Sequence, residues 1–493
     1  MNLVRCASAG KAPAMTPLPP PDALAALSAR LGPLGFSADP DTMAPWLRDW
    51  RGRLTGAAAA LVSPGTVEEV AEIVRICAAA RIPIVPQGGN SSTVGGATPD
   101  SSGTAILLSL RRMNAIRAIS AADGSLTAEA GAILSDVHAA ADRVGLRFPL
   151  SLAAKGSATV GGLVSTNAGG TQVLRFGPMR ALLLGIEAVL ADGARVDALS
   201  PLRKDNRGYD LRQLLAGAEG TLGIVTAATL RLVPAAGQRA VAWIGLSNPA
   251  AALRLLRNLE AVTGEAVESF EIIPASGLAL VLRHIPGVRA PLAGAHPWHV
   301  LVEATAPASA LPIAAALADA LALPANAALI EDAAIAQDET QAEALWKLRE
   351  TLPEAEKRDG MAAKHDIAVP VSAMPGFIDA VSAEVEARFA GTRVLAFGHL
   401  GDGNIHFNVR PPSGCDDRAW LAEAGREVTG FVHDRVVAHG GTISAEHGIG
   451  QIKRDELARL GDPARLAAMR AIKAALDPLG IMNPGKLVPP AAG

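Results

Sequence analysis

Two imidazoles, an amide and a carboxylate–imidazole pair stand at spacings that could do chemistry near the C-terminal end of this chain. The first stretch is His399-Leu400-Gly401-Asp402-Gly403-Asn404-Ile405-His406-Phe407-Asn408; the second is Ser444-Ala445-Glu446-His447-Gly448. An Asp-Gly pair between an apolar run, Val394–Phe397, and an alternating one, Ile405–Val409, is a strong signal for a hairpin with a two-residue turn. With that turn at Asp402-Gly403, His399 faces His406, and directly opposed Cβ atoms lie roughly 5 Å apart. Two imidazoles at that spacing can share one divalent ion. Asn408, two residues beyond His406, falls on the same face. Glu446 and His447 each offer a third ligand, and His/His/Glu with an open position is the composition of a catalytic zinc or manganese site. The competing reading, a polar hairpin with two unrelated histidines, is weakened by the Glu446-His447 pair.

Something must hold these groups in place, and the chain is long enough to do so. Its 493 residues call for two or more domains. Hydrophobic residues make up 49% and charged residues 19%, ample for buried cores. A formal net charge of -3 leaves no basic footprint for nucleic acid. Cys6, Cys77 and Cys415 are widely spaced, so neither a disulfide framework nor a thiolate metal site is expected, and a reducing cytoplasm is the default location. No apolar run approaches the ~18 residues that span a bilayer. Residues 1–20 are Pro- and Ala-rich and read as loose, with Met15 as an alternative start.

After a short helical pattern over Asp22–Asp49, the spacing predicts a strand at Ala57–Val62, a helix from Val67 begun by Thr66 and Glu69, and a strand at Ile82–Val85. This unit runs into a glycine-rich loop, Pro86-Gln87-Gly88-Gly89-Asn90-Ser91-Ser92-Thr93-Val94-Gly95-Gly96. Such a backbone can curl with its N–H groups inward around a phosphate, yet it is neither a Walker loop nor a GxGxxG turn. Two more loops repeat the mixture. They are Gly156-Ser157-Ala158-Thr159-Val160-Gly161-Gly162-Leu163-Val164-Ser165-Thr166-Asn167-Ala168-Gly169-Gly170 and Glu219-Gly220-Thr221-Leu222-Gly223-Ile224-Val225-Thr226. Three such loops in one region point to backbone wrapped around a long, phosphate-bearing cofactor.

Beyond Pro234 the pattern changes. Strands are predicted at Arg239–Leu246, Val267–Ile273, His299–Thr305, Ala327–Glu331 and His365–Val371, with helices at Ala250–Thr263, Pro312–Leu321 and Gln341–Glu350. These form an α+β layer over a substrate. One long helix, Asp417–His439, and another, Asp462–Leu476, follow before the turn Asn483-Pro484-Gly485-Lys486.

In this order the motifs resemble the FAD-linked oxidases and dehydrogenases of the vanillyl-alcohol-oxidase/PCMH type, over about residues 55–490. The resemblance implies an α+β fold: a PCMH-type FAD-binding domain of two α/β subdomains (55–235), preceded by an N-terminal segment (1–54). A cap domain carrying the metal site (236–455) and a C-terminal helix and tail returning to the FAD domain (456–493) complete it. Leu400, Asn408, Trp346-Lys347-Leu348-Arg349 and Lys364-His365-Asp366-Ile367-Ala368-Val369-Pro370 look most like the D-2-hydroxyacid dehydrogenase branch. Its lead substrate is D-2-hydroxyglutarate, with D-lactate dehydrogenases and glycolate oxidase subunits as alternatives and a non-catalytic flavin-binding subunit as a further one.

By similarity, FAD would be held by Pro86, Gly88–Ser92, Gly95, Gly96, Gly156, Ser157, Thr159, Gly161, Gly162, Thr166, Asn167, Gly169, Gly170, Glu219–Thr221, Ile224 and Asn483. It would be non-covalent, because Gln87 and Asn90 stand where flavinylated relatives carry histidine. His399, His406 and Glu446 would hold a divalent metal, zinc or manganese. Arg349 and Lys364 would hold carboxylates, Asn408 would touch the substrate, and His447 would bind it and act as general base while a hydride moves to the flavin. Electrons would leave to an electron-transfer flavoprotein or quinone, and a homodimer is the default assembly. One departure stands out: Pro353 occupies the place of a threonine in the hydroxyglutarate enzymes.

Overall fold

The computed structural model describes residues 18–490; the leader and alternative start at Met15 lie outside them. The helix Val67–Ala80 starts where its sequence says it should. Thr66 Oγ1 accepts the Glu69 N–H at 3.2 Å, the helix buries Val70, Ile73, Val74 and Cys77, and Arg81 ends it in a left-handed conformation. It connects parallel strands of a four-stranded sheet ordered Phe36–Ser37, Ala60–Val62, Ile106–Ser109, Ile84–Gln87. A five-stranded antiparallel sheet follows, built from Ile116–Ser120, Ser125–Glu129, Ile224–Arg231, Leu183–Val189 and Arg195–Ala198. Each sheet has its own apolar core.

The third sheet is antiparallel and seven-stranded. Its order is Ile330–Ile335, Gln238–Leu246, Trp298–Ala306, Val267–Pro274, Arg393–His399, Asn404–Arg410, Ala363–Ala368. Helices Pro249–Thr263, Ile313–Ala322, Met374–Arg388 and Gly425–Ala438 bury one face of it against Phe270, Phe377, Phe407 and the Val428/Val432/Val436 stripe. The tail runs back to the first sheet, where Met482 bridges Ile84. Fold class and most elements match the sequence pattern. The strand expected at Ala327–Glu331 is displaced to Ile330–Ile335, because Pro324 opens a helical turn over Pro324–Ala327. The single helix expected over Asp417–His439 is two, Asp417–Glu423 and Gly425–Ala438, meeting at Ala424. Among the described residues no helix is long and apolar enough to cross a membrane.

A buried acid ties the third sheet to the glycine-loop region. Glu268, wholly out of solvent on the Val267–Pro274 strand, accepts from both outer nitrogens of Arg147, from Arg175 Nη1 at 2.7 Å, from Gln172 and from Thr305. Burial would raise its carboxyl, but Arg147 and Thr305 outweigh that and hold it low. Glu268→Ala should therefore cost about 3 kcal/mol, read as a lower denaturant midpoint at unchanged slope.

Candidate active site

The hairpin forms, but its register differs from the one spacing alone gives. His399 pairs with Asn404 and Phe397 with His406, so the loop is Leu400–Gly403, four residues rather than two. Leu400 is the cause: it is fully buried and its N–H donates to Phe270 O at 3.0 Å, which draws it out of the ladder. Gly403 has φ +82°, and a Cβ there would meet Val369 O at 2.1 Å, so only glycine fits. His399 and His406 thus become diagonal neighbours, with ring centroids 5.6 Å apart. Ligand atoms of His399, His406 and Glu446 still lie within 4.8 Å of one another.

Buried carboxylates that spacing did not single out orient these groups. Glu271, on the strand next to His399, receives Arg349 Nε at 2.7 Å and His399 Nδ1 at 2.5 Å. Burial alone would raise its carboxyl; the charges of His399 and Arg349 prevail and hold it at about 2. Burial likewise opposes the His399 imidazolium, and Glu271 more than compensates, raising His399 to about 9. With Nδ1 engaged, His399 turns Nε2 toward Glu446 Oε1, 3.6 Å away. Asp366 does the same for the other imidazole. Its Oδ2 accepts the backbone N–H of Glu446 and of His447 and lies 3.2 Å from His447 Nδ1, while Oδ1 accepts from Asn404. Burial lowers both His447 and His406, leaving neutral rings. Burial, reinforced by Asp366, Asp402 and Glu271 against His399, lifts Glu446 to about 7. Glu446 Oε1 is buried without a hydrogen-bond partner. An orphaned carboxylate oxygen facing two imidazole nitrogens fits a divalent cation.

Arg349, His399, His406, Glu446 and His447 all line one cavity of about 610 Å³, together with Trp50, Arg51, Trp346, Glu350 and Pro353. Much of the rest of its wall comes from the glycine loops, including Pro86–Thr93, Gly96, Ser157–Thr159, Gly161–Leu163, Ala168–Gly170, Glu219, Gly220 and Gly223–Val225. Gly88 and Gly89 interlock with the second loop, since a Cβ would meet Thr159 Oγ1 at 2.2 Å and Ser157 O at 1.8 Å. Thr159 Oγ1 and Thr93 Oγ1 are buried without partners, so the wall offers unspent polar atoms to a polar cofactor.

Not every expected residue reaches this wall. Gly95, Gly156, Asn167, Thr221 and Asn483 do not line it. Asn167 Oδ1 accepts the Arg180 N–H, Thr221 Oγ1 donates to Ala218 O, and Asn483 Nδ2 ties Gly96 O to Glu219 O. Glu219 lines the cavity but spends its carboxylate on the N–H groups of Ile449 and Gly450, both at 2.7 Å. Lys364 and Asn408 also stand off the cavity: both meet Glu356 Oε2, at 2.5 and 3.1 Å. Glu356 is fully buried, and a buried carboxylate needs such partners. His365 is structural, held between Phe407 O and Thr429 Oγ1, and Tyr209 is 99% exposed.

With the geometry established, similarity to known proteins gives it a class. Residues 58–198 match the FAD binding domain family and residues 236–487 match FAD linked oxidases, C-terminal domain. The chain belongs to the FAD-linked oxidase family. It is 37% identical over 468 residues to bovine mitochondrial D-2-hydroxyglutarate dehydrogenase, covering 95% of this chain and 84% of that one. It is 36% identical over 454 residues to D-2-hydroxyglutarate dehydrogenase of Xanthomonas citri pv. viticola, covering 92% and 94%. Among solved structures, p-cresol methylhydroxylase with substrate bound superposes with a TM-score of 0.70 at 16% identity, over 94% of this chain and 96% of that one; this shows the shared fold.

The Glu271–His399 pair has a stability consequence in metal-free protein. A histidine raised from about 6.5 to about 9 contributes fully below pH 6.5, and its contribution is lost as pH rises through 9. The stability contributed by this pair should hold level up to about pH 6.5 and decline toward pH 10 by at most about 3.4 kcal/mol, read as falling thermal midpoints. Glu271→Gln should remove that alkaline limb.

Proposed function

We propose that this FAD-linked dehydrogenase oxidises a D-2-hydroxyacid to the 2-oxoacid, with D-2-hydroxyglutarate as the lead substrate. The observation that carries the reading is one cavity lined both by the glycine loops and by His399, His406, Glu446 and His447. The names of the curated relatives support the substrate. His399, His406 and Glu446 would hold a divalent ion, zinc or manganese, and the three glycine loops FAD without a covalent bond. When bound, the flavin supplies a hydride acceptor and the ion a Lewis acid that lowers the pKa of the substrate hydroxyl.

The protein's own groups do the rest. His447, neutral and held through Nδ1 by Asp366, keeps Nε2 free to take the hydroxyl proton as the Cα hydrogen leaves with its electron pair. Arg349 is fixed by Glu271 and stacked on Phe397, 5.1 Å from the ring centroid, so its outer nitrogens can hold a carboxylate in a fixed plane. Lys364 and Asn408 are tied to Glu356 off the cavity wall, which leaves direct carboxylate contact to Arg349 in this reading. Electrons pass to an external acceptor such as an electron-transfer flavoprotein or quinone, in a homodimer. Free thiols at Cys77 and Cys415 support a reducing location, the cytoplasm in this reading. Pro353 in the cavity wall favours a second reading, a D-lactate dehydrogenase, since it offers no donor to a distal carboxylate.

Anaerobic flavin bleaching with D- and L-2-hydroxyacids tests the proposal. D-2-hydroxyglutarate should bleach rapidly, and chelation should abolish bleaching; no bleaching by any hydroxyacid in metal-replete protein would sink it. Asp366→Asn should lower kcat about 100-fold at little change in KM. It should also move the acid limb of the pH profile to lower pH, because Asp366 is the group that raises His447.

A further inference from the structure

We propose that Arg51, from the N-terminal segment, holds the far carboxylate of a dicarboxylate substrate; this rests on the hydroxyacid reading above. Charge balance in the cavity wall carries this assignment. In that reading the divalent ion and Arg349, whose Nε is already committed to Glu271, would take the hydroxyacid head, and the second carboxylate needs a cation of its own. Lys364 is paired with Glu356 and does not line the cavity. Lys453 is buried against the carbonyls of Asp366 and Ile443. Pro353 contributes wall without a donor.

Arg51 lines the cavity with its guanidinium in no ion pair among the described residues, resting 5.8 Å from the ring of its neighbour Trp50. It shares that wall with Arg349, Pro353, Glu446 and His447. The segment presenting it is built. Arg48 pairs with Thr55, and buried Asp49 accepts the N–H groups of Arg51 and Leu54 at 3.2 and 2.6 Å. The same segment is pinned to the first glycine loop by Asn90 Nδ2 on Arg48 O and Arg53 Nη2 on Thr93 O. Arg51 is thus the one cavity cation whose charge the protein leaves unspent, and a carboxylate beyond the hydroxyacid head is the ligand that would use it.

The test compares wild type, Arg51→Met and Arg51→Lys on D-2-hydroxyglutarate and on D-2-hydroxybutyrate, which lacks the far carboxylate. Dissociation constants of glutarate and butyrate are read in parallel from the flavin absorbance of the holoprotein. Arg51→Met should lose about 100-fold in kcat/KM on the dicarboxylate, through KM, and less than a tenth of that on the monocarboxylate. Glutarate affinity should fall in step, and Arg51→Lys should recover part of both. Equal losses on the two acids, or an unchanged glutarate dissociation constant in Arg51→Met, would overturn the proposal. If no 2-hydroxyacid bleached the wild-type flavin, the functional reading would fail, while the glutarate measurement would still decide whether Arg51 binds a second carboxylate.

Discussion

A carboxylate with no access to water fixes the geometry of this site. Glu271 sits between Arg349 and His399, and its ionised form is tolerable only because both partners are there. The contact is made by sheet register: Glu271 lies directly opposite His399 across paired strands. A slip of one residue would turn His399 to the other face and leave the acid alone in the core. Correct strand pairing and correct orientation of the imidazole are therefore one event, and the long Leu400–Gly403 loop that buries Leu400 is what sets that register.

The same logic recurs on the far side of the site. Asp366 holds the loop bearing Glu446 and His447 by its backbone and holds His447 by its ring. A few residues on, Glu219 grips the same loop from the glycine-loop side. A Cβ at Gly448 would meet Glu219 Oε1 at 2.7 Å, so the loop can lie that close only as glycine. One short segment is thus clamped between two buried acids, one from the seven-stranded sheet and one from the cofactor side. His447 and the glycine-loop wall are thereby joined through one segment.

How much of this was legible in the sequence follows from range. The glycine loops, the Thr66 cap and the His/His/Glu/His set are local patterns; the four site residues and most of the glycine-loop residues line one cavity, while Gly95, Gly156, Asn167 and Thr221 do not. Asp-Gly announced the hairpin correctly but not its loop length, because the burial of Leu400 against Phe270 depends on a strand far away in sequence. Glu271, Glu356 and Asp366 escaped notice for the same reason. Each is an ordinary acid in a strand or helix; Glu271 meets His399 128 residues away, and Glu356 meets Lys364 only eight residues on but across a helix-to-strand turn and Asn408 52 residues on. Asp366 even sat within the quoted Lys364–Pro370 motif, yet nothing in its neighbours says that it will cap a loop 80 residues on. Lys364 was read by type, and type alone does not reveal that Glu356 takes its charge.

Charge also explains why these acids support a cation at the site. Glu446 lies among Asp366, Asp402 and Glu271, and without a cation its carboxyl rises to about 7 while His399 rises to about 9. The two face each other across a 3.6 Å gap with no hydrogen bond between them. A divalent ion in that gap would stabilise the deprotonated forms of both ligands at once and satisfy the orphaned Glu446 oxygen. It would also leave Glu271 and Asp366 to do what their geometry already does, which is to aim imidazoles. The acids behind the site set its orientation, and those facing it create the negative potential that a divalent ion would neutralise.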